Sequence, residues 1–254
     1  MTGSDRQTAV VVGGAGGIGR AICRKLAEAG LRVALLDLNE AAGSTIVGSL
    51  TGHDHIFVRV DVTSEASVDA AFASVEAHAA ASKLVIVSGG PLGTPAAPAN
   101  IFTVSLDEWN RTLELNATGT FLCLRKFAQL RVAKPVPATR ILLFASITGQ
   151  LGGSMTGPAY PASKAAVMGL TRQAALDLAP HNIIVNAIAP GSVATDELKR
   201  FVDASMMKAL EARAPLHRIA SPEEIADAAC FLLSDACSYI TGATLDVNGG
   251  ALMR

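Results

Sequence analysis

The sequence predicts an α/β fold: a single Rossmann-like domain over residues 1–254, built on a doubly wound parallel sheet of about seven strands with helices on both faces. Three observations carry this reading. Short β-rich runs alternate with longer helical patterns along the 254 residues, which implies right-handed crossovers between parallel strands. The strand candidates are continuously apolar instead of alternating, as strands buried on both faces are. Half of the residues are apolar and 17% are charged, enough for a sizeable core and too few charges for a disordered chain.

Thr8–Val12 (TAVVV) is the first strand. Gly17–Ala29 follows as a helix, with Ile18, Ile22 and Leu26 on one face at i+4 spacing. Arg32–Leu36 (RVALL) is the second strand and His55–Val60 the third. A helix from Ser64 to about Ala81 leads to the fourth strand, Leu84–Val87. A long helical pattern surrounds Trp109–Leu130. Arg140–Phe144, Ile183–Ile188 and Thr244–Val247 complete the strands, and Tyr160 lies in a helix between the fifth and sixth. The proline-containing stretches 91–98 and 135–137 and the region around Pro190 read as loops within the same domain. In such a sheet ligands sit beyond the carboxyl ends of the strands, so the motifs should fall there.

The first strand runs into Gly13-Gly14-Ala15-Gly16-Gly17-Ile18-Gly19. A strand turning tightly into a helix, with side chains missing, lets backbone N–H groups approach a pyrophosphate at the helix N-terminus. This predicts a dinucleotide, with Gly13, Gly16, Gly17, Ile18 and Gly19 against it. Asp37 ends the second strand 18 positions after Gly19, with Leu38 beside it. A carboxylate there accepts both hydroxyls of an adenosine ribose and repels a 2′-phosphate. No Arg or Lys in the glycine turn or just after Asp37 offsets that repulsion, so the expected cofactor is NAD, with NADP the lesser candidate. Asp61-Val62 after the third strand reads either as a helix N-cap region or as a hydrogen-bond partner for adenine. Further on, Tyr160 and Lys164 in YPASK stand four residues apart, which puts phenol and ammonium on one helix face. A nearby positive charge favours the phenolate.

The ordered set of motifs resembles the classical short-chain dehydrogenase/reductase family from Val10 to the C-terminus. It comprises GGAGGIG at 13–19, Asp61-Val62, Asn116 in ELNATGTF, Ser146 in LLFASITG, YPASK at 160–164, APGSVAT at 189–195 and YITGATLDVNGG at 239–250. The resemblance implies an oxidoreductase interconverting a secondary alcohol and a ketone by hydride transfer. Tyr160 would be the general acid/base, its pKa pulled down by Lys164 and the nicotinamide ring, because an unperturbed phenol near 10 is too weakly ionised. Ser146 would donate to the developing alkoxide and orient the substrate. Lys164 would also hold the nicotinamide ribose, and Asn116 would hold a water relaying protons from the lysine. Pro190, Gly191, Val193 and Thr195 would grip the carboxamide. Ser88, Gly89 and Gly90 stand where the family usually has Asn-Asn-Ala, leaving the backbone of the two glycines to approach the adenosine ribose. Val12 replaces the family's usual threonine before the turn.

The expected substrate walls are 91–101, 150–158 and 195–216, with Leu92, Leu151, Met155, Phe201, Met206 and Met207 contributing. Of these, Leu151, Met155 and Met206 join Ser146 and Tyr160 as substrate contacts. The expected substrate is a small or medium secondary alcohol or ketone; a 3-oxoacyl thioester, reduced with NADP, and a sugar-like polyol stay open. A non-catalytic dinucleotide sensor on the same fold is the rival from another class, and a methyltransferase on a related sheet is a further one. A net charge of −1 with no basic stripe argues against nucleic acid and anionic membrane. No apolar run is long enough to span a bilayer. Cys23, Cys123, Cys230 and Cys237 are scattered, with no CxxC pair, so neither a disulfide framework nor a metal site is expected, and a reducing cytoplasm fits best. The resemblance further implies a homotetramer, built from the helices holding Asn116 and Tyr160 and from the C-terminal strand.

Overall fold

The computed structural model describes residues 6–87, 89–90, 99–153 and 155–253, at position 201 through its backbone alone. Seven parallel strands form one sheet in the order β3-β2-β1-β4-β5-β6-β7. These are β1 Thr8–Val12, β2 Arg32–Asp37, β3 Ile56–Arg59, β4 Lys83–Ile86, β5 Arg140–Phe144, β6 Ile184–Pro190 and β7 Thr244–Val247. The order reverses between β1 and β4, which pair directly from Ala9↔Lys83 to Val12↔Ile86. At that reversal the connections leave in opposite directions and open a crevice beyond the strand ends.

The helices are α1 Gly17–Glu28, α2 Glu40–Ser49, α3 Glu65–His78, α4 Leu106–Leu113, α5 Gly119–Ala133, α6 Thr148–Leu151, α7 Ala159–Leu178, α8 Asp196–Phe201, α9 Ala204–Arg213 and α10 Pro222–Leu233. All five residues of β1 are buried, and they divide by the period of two between the sheet's faces. Val10 and Val12 join the core under α3, α5 and α7. Ala9 and Val11 join the core under α1 and α10. The apolar runs were legible as strands for this reason: both faces are covered, so most positions are apolar, and buried exceptions such as Lys83, Arg140 and Asn186 have hydrogen-bond partners. Observed ends differ from expected ones by a residue or two, within ordinary fraying.

One expected element is interrupted. The long helix around Trp109–Leu130 is α4 and α5 joined by a π-turn at Glu114–Thr118. A π-turn inserts a wider loop of backbone into the helix and re-aims its side chains, and such turns gather at functional sites. Asn116 lies in it, fully buried. Among the described residues no helix is long and apolar enough to cross a membrane.

Candidate active site

The glycine turn is built by close approach. A Cβ on Gly19 would lie 2.2 Å from the Gly13 carbonyl oxygen, and one on Gly14 would lie 2.5 Å from Leu35 Cγ. Gly13 itself has φ +76°, a left-handed conformation suited to glycine. Helix α1 begins at the N-cap Gly16 with no side-chain cap and no acidic residue in its first turn. Its first N–H groups therefore lack a side-chain acceptor and are available to an anion. Asp37 accepts from Ala15 N–H at 3.0 Å through one oxygen and from Asn39 N–H at 3.0 Å through the other, tying the end of β2 to the turn.

These residues line one end of a cleft of about 880 Å³. The same cleft is lined by Ser146, Tyr160 and Lys164. Ser146 follows β5, and its Oγ accepts from Thr148 N–H at 3.2 Å and Thr148 Oγ1 at 3.0 Å. With its lone pairs taken from that side, the hydroxyl proton is free to donate into the cleft. The Tyr160 phenol, in the first turn of α7, lies near the Ser146 hydroxyl, which favours its ionised form. Lys164, one turn on, is 3% exposed and donates to the Phe144 carbonyl at 3.0 Å. Its Nζ lies 5.7 Å from the centre of the Tyr160 ring.

Among the protein's own groups, burial raises the Tyr160 pKa above 10, and only the nearby Ser146 hydroxyl opposes it. Burial also lowers Lys164 to about 8. The lysine stays mostly protonated near neutral pH, but it does not offset the effect of burial on the phenol.

Asn116 bridges two segments through its side chain. Its Oδ1 accepts from Gly90 N–H at 3.0 Å, while its Nδ2 donates to the Gly90 carbonyl at 3.1 Å and to Ser163 Oγ at 3.0 Å. The side chain thus clamps the loop after β4 to α7. Gly89 sits at φ +93°, where a Cβ would fall 2.0 Å from Asn116 Oδ1. This asparagine braces the backbone at Gly90.

Gly89, Gly90, Pro190, Gly191, Val193 and Thr195 line the cleft, as do Leu151 and Met155. The Thr195 hydroxyl caps α8 by accepting from Leu198 N–H at 3.2 Å, and a Cβ on Gly17 would lie 2.8 Å from its methyl group. Four expected contacts do not line the cleft. Leu38 is 55% exposed. The Asp61 carboxylate accepts from Thr63 N–H and Oγ1, and Val62 is buried where a Cβ on Gly119 would meet it. Met206, on α9, is replaced at the wall by Leu210, Arg213 and Ala214 from the same helix and its end. Ser88 and Leu92 lie outside the described residues, as does the Phe201 side chain.

Sequence reasoning missed Asn39, Thr148, Glu197, Arg213 and Asn248, all at the cleft. Thr148 carried a signal, a second hydroxyl two positions after Ser146. Arg213 carried none, since its place depends on how the end of α9 is anchored. No group of three or more His, Cys, Asp or Glu among the described residues could hold a metal ion.

Comparison with known proteins agrees with this geometry. A family model described as enoyl-(acyl carrier protein) reductase matches residues 13–251. A 2,5-dichloro-2,5-cyclohexadiene-1,4-diol dehydrogenase of Sphingobium indicum is 36% identical over 258 residues, 98% of each chain. A cis-4-hydroxycyclohexanecarboxylate dehydrogenase of Sinomonas cyclohexanicum is 38% identical over 246 residues, 96% of each chain. The crystal structure of a 3-oxoacyl-(acyl-carrier protein) reductase with bound NAD from Brucella melitensis superposes with a TM-score of 0.87 at 28% identity, covering 99% of this chain and 93% of that one. With the parallel sheet, the glycine turn and the Ser146–Tyr160–Lys164 cluster, these matches show that the chain belongs to the short-chain dehydrogenase/reductase family, oxidoreductases that interconvert hydroxyl and carbonyl groups with a nicotinamide dinucleotide.

Proposed function

We propose that this protein is an NAD-preferring dehydrogenase of a small alicyclic secondary alcohol, with Tyr160 as general acid/base. The observation that carries the reading is that Ser146, Tyr160 and Lys164 line the cleft that also holds the glycine turn. The residues present fit a dinucleotide. The turn is a cradle that added side chains would fill, and the first turn of α1 presents uncapped N–H groups. The lining from Gly13 to Gly19, with Asp37 and Asn39, contains no Lys or Arg to receive a 2′-phosphate, which supports NAD over NADP.

When bound, the dinucleotide supplies the hydride acceptor or donor. The Tyr160 oxygen takes the proton from the alcohol in oxidation and returns it in reduction. The Ser146 hydroxyl donates to the substrate oxygen and steadies its developing charge. Lys164 adds positive charge beside the phenol, which the cofactor's own charge reinforces. Leu151 and Met155 give the substrate an apolar wall. Two relatives named for six-membered-ring alcohols favour an alicyclic substrate. A 3-oxoacyl thioester is the second reading, favoured by the NAD-bound structural neighbour.

The test follows reduced-nicotinamide absorbance with cyclic secondary alcohols and 3-hydroxyacyl thioesters. Wild type is expected to turn over the ring alcohols, faster with NAD than with NADP. Tyr160→Phe is expected to lose about 10²–10⁴-fold in kcat, the usual range for a removed acid/base. Activity surviving that substitution sinks the proton-transfer assignment, and better turnover with NADP sinks the cofactor preference. We further infer a homotetramer, supported by exposed apolar side chains on α5, α7 and β7. The four free cysteines suit a reducing compartment such as the cytoplasm.

A further inference from the structure

Among the described residues, the cleft carries one cationic side chain with no hydrogen bond or ion pair to the protein. Three cations line the cleft: Lys164, Arg213 and Arg218. Lys164 donates to the Phe144 carbonyl. Arg218 is held two-pronged by Glu224, at 2.7 and 2.6 Å, and Glu224 also closes the capping box of α10. Arg213, the last residue of α9, has no hydrogen bond or ion pair through its guanidinium among the described residues.

Its position is nonetheless fixed. The chain just after it is pinned to the turn following β7: Leu216 N–H donates to the Gly249 carbonyl at 3.3 Å, and His217 N–H donates to the Ala214 carbonyl at 2.7 Å. A Cβ on Gly250 would lie 3.0 Å from Pro215 Cγ, so the two segments are in contact. Arg213 therefore stands on an anchored helix end, not on a free loop. Its side chain is exposed, and the cleft that it lines also carries the apolar Val202, Leu210 and Leu216 and the carboxylate of Glu197. A guanidinium is a planar fork of donors matched to a carboxylate.

We propose that Arg213 is a specificity-determining residue that binds an anionic group, a carboxylate, on the substrate. The substrate class narrows to alicyclic hydroxy acids: an apolar ring against the lid, its hydroxyl at Tyr160 and Ser146, its carboxylate on Arg213. This rests on the reading of the cleft as an alcohol dehydrogenase site. Arg213 does not touch the reacting atoms, so its removal should separate charged from neutral substrates and leave the chemistry intact.

The experiment compares wild type, Arg213→Gln and Arg213→Lys with cis-4-hydroxycyclohexanecarboxylate and its neutral methyl ester, in the presence of NAD. For the acid, Arg213→Gln is expected to lower kcat/KM about 10- to 100-fold through KM, the loss of a charge-assisted pair. Arg213→Lys should recover part of it. The ester should be turned over equally by all three, and NAD affinity by fluorescence titration should not move. An equal fall for acid and ester, or a weakened NAD affinity, overturns the proposal, because Arg213 would then serve the fold or the dinucleotide. Calorimetric titration of cyclohexanecarboxylate into the protein with NAD decides the matter without turnover. About tenfold weaker binding by Arg213→Gln is expected, whereas equal binding, or none by wild type, refutes the pair. Should wild type oxidise neither compound, the alcohol reading falls on its own, and this titration still decides the role of Arg213.

Discussion

At the scale of single residues, the site is a compromise between burial and charge. YPASK was legible as a phenol and an ammonium on one helix face, but the direction of the tyrosine shift was not, since a sequence does not state how deeply either group is buried. Burial holds Lys164 near 8 against an ordinary 10.5. Between those values the folded protein binds fewer protons at Lys164 than the unfolded chain does. This group therefore destabilises the fold below pH 8, and its penalty fades as pH rises toward 10.5. The gap corresponds to roughly 3 kcal/mol at 1.36 kcal/mol per pH unit. Lys83, also near 8, acts in the same window. The buried thiols Cys123 and Cys230, raised to about 12 and about 11, pull the other way above pH 9. Comparing Lys164→Met with wild type cancels these shared contributions. The variant should lose activity, while its stability relative to wild type falls by about 3 kcal/mol from pH 7 to 10.5, read by urea denaturation. A difference that stays flat across that range would show that Lys164 is not held at a depressed pKa.

At the scale of elements, two details escaped the sequence for different reasons. Nothing in ELNATGTF distinguishes a π-turn from plain helix, because the extra residue in the turn is decided by what Asn116 finds to bind: Gly90 and Ser163 from distant segments. The closure of α8 over the glycine turn likewise depends on tertiary contacts. Asp196 pairs with Arg20 of α1 at 3.6 Å, and the Thr195 methyl packs on Gly17. Glu197 Oε2 lies 3.5 Å from where a Gly17 Cβ would be, so a carboxylate stands over the N-terminus of α1. That end favours negative charge, and a pyrophosphate arriving there meets the glutamate as a competitor. Glu197→Gln is expected to tighten NAD binding about two- to fivefold at low ionic strength, from roughly 0.3–1 kcal/mol of relieved repulsion. The gain should shrink in high salt, where an exposed charge is screened. Calorimetry at two salt concentrations measures it, and weaker binding by the variant would mean that Glu197 helps the ligand instead.

At the scale of the whole molecule, the sheet was the most legible feature. Its strands lie between two helical layers, so most were predominantly apolar runs and stood out. What the runs left unstated is which helix faces meet water in the finished assembly. Phe121 and Val132 on α5 are 42% and 40% exposed, Leu176 on α7 is 72% exposed, and Leu245 on β7 is 38% exposed. Single exposed apolar residues are ordinary on any surface. Here they fall on the elements expected to carry subunit contacts, and Arg125 lies over the Phe121 ring at 5.0 Å, an arrangement that keeps a charge beside an apolar face without burying it. Covering these side chains with a second copy removes apolar area from water at about 25 cal/mol per Å². Light scattering is therefore expected to give a mass near four times the 26.1 kDa of one chain. Phe121→Glu and Leu176→Glu should each shift the population toward smaller species as the protein is diluted, because a buried, unpaired carboxylate opposes association. A wild-type mass of one chain at all concentrations would reject the assembly, and a tetramer indifferent to both substitutions would move its contacts to other faces.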